Sequence, residues 1–116
     1  MEHSLGFVPT AATLTKLFEV PAGHKIDLHT FRVNLGAATA KTFTFYWQFG
    51  SDASKKIYLS RNQSAATQDN PQFQGHLILQ AGDSMWFDSE AGSTPTVICS
   101  FDMYEQRKMN AYRRLC

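Results

Sequence analysis

The chain has 116 residues, a formal net charge of +1 and 43% hydrophobic residues, which is enough for one domain around one core and too apolar for a disordered segment. No apolar run approaches the roughly 18 residues of a membrane span, and the first residues lack the basic-then-apolar pattern of a secretory leader. Two cysteines, Cys99 and Cys116, are too few for a disulfide framework, and synthesis in a reducing cytosol fits both thiols.

Met1 to Thr10 reads as an extended lead-in, punctuated by Gly6 and Pro9, with Phe7 and Val8 able to pin it to the body. Thr13 to Val20 reads as a strand. Leu14, Phe18 and Val20 share one phase and Leu17 holds the other. Pro21-Ala22-Gly23 then makes a tight turn, because proline pre-sets φ and glycine suits the last position. Lys25 to Leu35 is a longer strand whose apolar phase switches. Ile26 and Leu28 lie in one phase, and Phe31, Val33 and Leu35 in the other. Such a switch calls for a bulge or bend between Leu28 and Phe31.

The strongest signal is Lys41 to Phe49. Phe43, Phe45, Trp47 and Phe49 alternate with Thr42, Thr44, Tyr46 and Gln48, the period of a strand with one buried face. Aromatic and threonine residues suit that pleated, half-buried setting. A loop at Gly50–Ser54 leads to a short strand, Lys56 to Ser60. Arg61 to Gln74 is polar and reads as a long loop, a contact surface or flap. Three further strands follow: Gly75 to Gln80, Ser84 to Asp88, and Thr96 to Glu105, where Val97, Cys99, Phe101 and Met103 alternate strictly. Those four are expected to share a core with the aromatic strand.

About seven short strands at this spacing predict an all-β fold: a single antiparallel β-sandwich, jelly-roll-like. The expected organisation is an extended N-terminal arm (1–12), a sandwich (13–105) and a short basic C-terminal tail (106–116). Two joints echo one another, Val20-Pro21-Ala22-Gly23-His24-Lys25-Ile26 and Leu79-Gln80-Ala81-Gly82-Asp83-Ser84-Met85, and are read as similar strand connections.

Catalytic chemistry finds little footing. The four histidines, His3, His24, His29 and His76, contain no His-x-His pair of the sort that seats a metal on a strand, so no metal and no cofactor are assigned. His24 and His76 adjoin glycines that read as turns, which predicts exposure. Asp83, Asp88 and Glu90 could pair as acid and base or hold calcium, but turn-forming and solvated carboxylates account for them equally. There is no nucleophile elbow and no phosphate loop, so no enzyme activity is assigned. Tyr46 and Trp86 fall out of phase with their strands' main apolar sets. They are candidates to face outward, into a partner or against a sugar ring. Arg107, Lys108, Arg113 and Arg114, with Tyr112 among them, give the tail +4 against −3 for the rest. Such a tail fits docking on an acidic neighbouring subunit better than binding nucleic acid, since the body offers no basic face. The two ends and the polar loop are expected to be ordered by neighbouring chains.

Three segments carry a family resemblance: Phe18 through Ile26 with its Val-Pro-Ala-Gly turn; Phe31 to Gly36 followed by Thr42 to Trp47; and His76 through Met85 with its Leu-Gln-Ala-Gly-Asp turn. In this order they resemble small accessory virion proteins of tailed bacteriophages, over about residues 14–105. The resemblance implies a β-sandwich component of capsid, neck or tail, most specifically a capsid cement or decoration protein. It implies virion localisation, neighbouring virion subunits as partners and a homo-oligomer, with no membrane. It carries no catalytic residues. A neck or tail component and a carbohydrate-binding module are the rival readings. The neighbouring genes, capsid or tail, are the observation that separates them.

Overall fold

A computed structural model describes residues 2–37, 39–65 and 71–105, without the side chains of residues 2 and 62. Eight strands cover them: β1 (Glu2–Phe7), β2 (Thr15–Glu19), β3 (His24–Asn34), β4 (Lys41–Gln48), β5 (Lys56–Ala65), β6 (Gln72–Leu79), β7 (Ser84–Ser89) and β8 (Thr96–Glu105). They form two antiparallel four-stranded sheets, ordered β1-β8-β3-β6 and β2-β7-β4-β5. Only the β4–β5 connection stays within one sheet; every other link crosses between them. This is the jelly-roll arrangement, and no described residue is helical.

The core sits between the inner faces. Phe43 and Phe45 of β4 meet Phe31 and Val33 of β3, Phe87 of β7, and Val97, Cys99 and Phe101 of β8, all buried. The Phe31 and Phe45 rings stack within 4° at a centroid distance of 3.3 Å. Trp47 and Met103 are half-buried and pack against this cluster. Phe49 lies just past the end of β4, its ring 4.4 Å from Trp47.

The phase switch in β3 is a bulge. Against β8 the register steps from Leu28↔Phe101 to Thr30↔Ser100, leaving His29 inserted. Against β6 it steps from Leu28↔Leu77 to Thr30↔Gln74, so Gly75 and His76 lie opposite the same irregularity. Ile26 and Leu28 before the bulge and Phe31 and Val33 after it are therefore all buried.

The echoed joints are equivalent corner turns. Gly23 and Gly82 have φ of +78° and +89°, a region in which glycine meets no Cβ penalty. His24 N bonds Pro21 O and Asp83 N bonds Gln80 O, and the corners are tied together by Val20 N to Asp83 O (2.9 Å) and Gly82 N to Val20 O (3.0 Å).

Three sequence expectations change. The lead-in is not held only by neighbours: Glu2–Phe7 is an edge strand paired with β8 from Glu2↔Asp102 to Phe7↔Val97. His3 stacks on Phe101 and Phe7 on Phe18, which is the physical reason it joins the sheet. Most of the polar loop Arg61 to Gln74 is strand. Arg61 to Ala65 continues β5 and Gln72 to Gln74 opens β6. Both are edge strands, where polar side chains are at home. The second strand is shorter than expected; Leu14 lies outside it and is exposed, and a bulge between Lys16 and Phe18 brings both Leu17 and Phe18 into contact with the core. The basic tail, with Arg107, Lys108, Tyr112, Arg113 and Arg114, lies outside the described residues, as does part of the polar loop. No helix among the described residues is long and apolar enough to cross a membrane.

Candidate functional site

The outer face of the β2-β7-β4-β5 sheet carries a row of directly paired residues. Lys16 of β2 lies opposite Trp86 of β7, Trp86 opposite Tyr46 of β4, and Tyr46 opposite Tyr58 of β5. Alternation puts them there: with Phe45, Phe87 and Trp47 directed inward, their neighbours must face out. Cross-strand aromatic neighbours of this kind stabilise a sheet face.

The row is aromatic at its centre and cationic around it. Tyr46 and Trp86 are parallel within 5°, with centroids 6.2 Å apart, and Tyr46 and Tyr58 are 5.4 Å apart. Lys56 Nζ stands 4.8 Å from the Tyr46 ring, Arg61 Cζ 4.6 Å from the Tyr58 ring, and Lys16 Nζ 6.0 Å from Trp86. These are cation–π distances. Trp86 Nε1 donates to Ser84 Oγ at 2.8 Å, which fixes the indole. Burial raises the Tyr46 pKa above the ordinary phenol value, and Lys56 only partly offsets this. Tyr46 therefore stays protonated at neutral pH.

Beside the row lies an open depression of about 280 Å³, bounded by Leu14, Tyr46, Lys56, Tyr58, Arg61 and Asp88. Asp88 Oδ1 is buried there with no hydrogen-bond partner among the described residues. A buried polar atom left unpaired costs free energy, so this one is suited to accept a donor from outside.

The two sequence candidates in the described region, Tyr46 and Trp86, are thus brought together. Tyr46 does not match the sugar-platform expectation: it is only 5% exposed, and Lys56 stands over its ring. Sequence reasoning missed Lys16, Lys56, Tyr58 and Arg61. They lie on two strands, β2 and β5, at opposite edges of the sheet, and only the strand order and register bring them to Trp86 and Tyr46.

Of the three carboxylates, Asp88 and Glu90 line one small depression with Thr42 and Thr44, and Asp83 stands apart from both. Asp83 precedes β7 and Glu90 follows it, and a strand of that length separates them by about 20 Å. Asp83 is buried and accepts from Trp47 Nε1, Gly50 N and Gln80 N. Glu90 Oε1 accepts from Thr42 N at 3.0 Å. Both serve the fold's joints.

A second depression, about 200 Å³, opens between the edge strands β5 and β6, where Phe31, Phe43, Phe45, Leu59 and Phe73 line it together with hydroxyl and amide groups. It carries no ionisable side chain among the described residues.

No family model matches the sequence, and no curated protein matches it. Solved structures do. A chain from the disulfide-linked pili that form Bacillus endospore appendages is similar at 15% identity and a TM-score of 0.55, over 90% of this chain and 85% of that one. Chains from the Gt and Gx strains of infectious bursal disease virus give TM-scores of 0.44 and 0.43 at 8% identity, and this chain spans about a third of their length, 31% and 30%. At these identities the pilus likeness is one of fold: a small all-β sandwich.

Proposed function

We propose that this protein is a non-enzymatic structural subunit that works by assembly, and that it is an accessory component of a tailed-phage particle, most specifically a capsid cement or decoration protein. The observation that carries the reading is the accessible part of the outer row, Lys16, Trp86, Tyr58 and Arg61, set around the buried Tyr46. Trp, Tyr and Arg are the residues in which interface binding energy concentrates. The adjoining unpaired Asp88 oxygen and exposed Leu14 add a polar acceptor and an apolar contact to the same face.

Two further points support it. The pilus subunit named above builds a polymer from a sandwich of this size and fold. The Val-Pro-Ala-Gly and Leu-Gln-Ala-Gly-Asp corners, which give the phage resemblance, are here a hydrogen-bonded pair that joins the two sheets. Cys99 is buried, and burial pushes its thiol pKa up to about 12. It is therefore unfit for a link between subunits, and assembly through the sandwich is non-covalent.

In this reading the protein covers joints between capsid subunits. Each joint closed buries interface area and raises the barrier to rupture. The basic tail, Arg107, Lys108, Arg113 and Arg114 with Tyr112, docks on an acidic neighbour. Removing residues 106–116 leaves the sandwich folded and makes docking weaker and less sensitive to salt.

The test is particle composition. Virions purified from a phage carrying this gene contain the protein in many copies on the shell, and particles made without it rupture at lower temperature. Confinement to the neck or tail moves the protein to that station. Absence from particles, or specific binding of the isolated protein to a glycan array, overturns the assembly reading.

A further inference from the structure

On the opposite outer face, that of the β1-β8-β3-β6 sheet, the β3 bulge gathers four ionisable side chains. Asp27 lies before the bulge, directly paired with Asp102 of β8. His29 is the inserted residue, and His76 of β6 lies in the same irregularity. His76 Nδ1 donates to Asp27 Oδ2 at 3.0 Å, and His29 Nε2 donates to Asp102 Oδ2 at 2.8 Å. The two imidazoles meet edge to face, with centroids 5.0 Å apart. One potential ligand atom from each of Asp27, His29 and His76 lies within 4.8 Å of the others.

We propose that Asp27, His29 and His76 form a binding site for a divalent transition ion of the zinc class, with Asp102 as the carboxylate that orients His29. Two features carry this. Two imidazoles and a carboxylate are the donor set of zinc, nickel, cobalt and copper, whereas calcium and magnesium want an oxygen cage. A carboxylate hydrogen-bonded to a ligating imidazole is the usual support of such a site.

The geometry is within reach. Bonds of about 2.1 Å in a tetrahedron set neighbouring donors roughly 3.4 Å apart. Closing from 4.8 Å requires only side-chain rotation, and the His76 side chain is 71% exposed and able to make it. Once bound, the ion links edge strand β6 to β3 where the bulge interrupts their regular ladder. It acts as a brace, with a fourth position left for water. Bulges commonly re-aim side chains in this way.

The experiment uses the full chain with Cys116→Ser, so that no terminal thiol takes part. Zinc and cobalt chlorides are titrated against the metal-free protein, followed by calorimetry, thermal unfolding and visible absorption. Expected are one ion per chain, a higher melting temperature with zinc, and cobalt d–d bands of low-symmetry nitrogen–oxygen coordination. His76→Ala, at an exposed position that should not harm folding, is expected to lose binding at least 100-fold. Asp102→Asn is expected to lose roughly 10- to 100-fold. His24→Ala, whose ring bonds the Ala22 carbonyl at the corner and takes no part in the cluster, is expected to bind as the parent does. The proposal is overturned by no binding, by binding that survives His76→Ala, or by binding lost in His24→Ala.

Discussion

The indole of Trp47 donates to Asp83 Oδ2 at 3.1 Å, joining the end of strand β4 to the corner before β7. Asp83 also accepts from Gln80 N and Gly50 N, each at 2.9 Å. One buried carboxylate thus satisfies three N–H groups from three segments. Asp83→Ala would leave all three without that acceptor and is expected to cost about 3–5 kcal/mol, whereas Trp47→Phe removes one bond to a charged acceptor and costs about 1.5–3 kcal/mol. Urea unfolding of the two variants checks the order. A smaller loss for Asp83→Ala than for Trp47→Phe contradicts the assigned role.

Phe45 stacks on Phe31 at the centre of the sandwich, and both are fully buried. Phe45→Ala is expected to destabilise by about 3–5 kcal/mol, through lost transfer energy and the cavity left behind. Native-like thermal unfolding of the variant counts against Phe45 as the centre of the core.

Gly36 follows β3 with φ of +61°, and a Cβ there would press on Thr94, whose backbone oxygen would lie only 2.9 Å away. Thr94 cannot retreat freely, because its amide bonds Leu35 O at 2.7 Å. Gly36→Ala is expected to cost about 1–3 kcal/mol from backbone strain alone. Gly82→Ala also carries a positive φ but meets no atom within 4 Å, so it should cost less. Comparing their unfolding midpoints isolates the steric part.

Cys99 is held protonated by burial, its pKa pushed up to about 12. In the Cys116→Ser background, no thiol should react with a chromogenic reagent at pH 8 until denaturant is added. The stability consequence has a definite sign. The unfolded thiol ionises from about pH 8.5 while the native one keeps its proton, so stability falls as pH rises from about 9 towards 12. Cys99→Ala should lack this contribution, so the wild type should lose stability more steeply over that range. Parallel slopes for the two contradict it.

The strands that line the core were the legible ones. Phe43, Phe45 and Trp47 announced themselves because one face is buried, and the switch from Leu28 to Phe31 required the bulge that occurs. Edge strands were harder. Glu2 to Phe7 does alternate, but its inner set, His3, Leu5 and Phe7, is too mixed in polarity to signal a strand. Arg61 to Ala65 is almost wholly polar and pairs with a neighbour on one side only. The cationic rim of the outer row was hidden for another reason: Lys16, Lys56 and Arg61 become neighbours of Trp86, Tyr46 and Tyr58 only through strand order and register. The same holds for His29 and His76, far apart in sequence and adjacent at the bulge.

The most direct measurement of assembly through the outer row is the occupancy of purified particles by wild-type protein and by Tyr58→Ala/Arg61→Ala. Both residues lie at the exposed end of the row, on edge strand β5, away from the core. The variant should fold and melt close to wild type. Removing two interface anchors, at about 2 kcal/mol or more, should lower its affinity for particles by about 30-fold or more. Equal occupancy by a folded variant would contradict the claim that this face joins the protein to its neighbours.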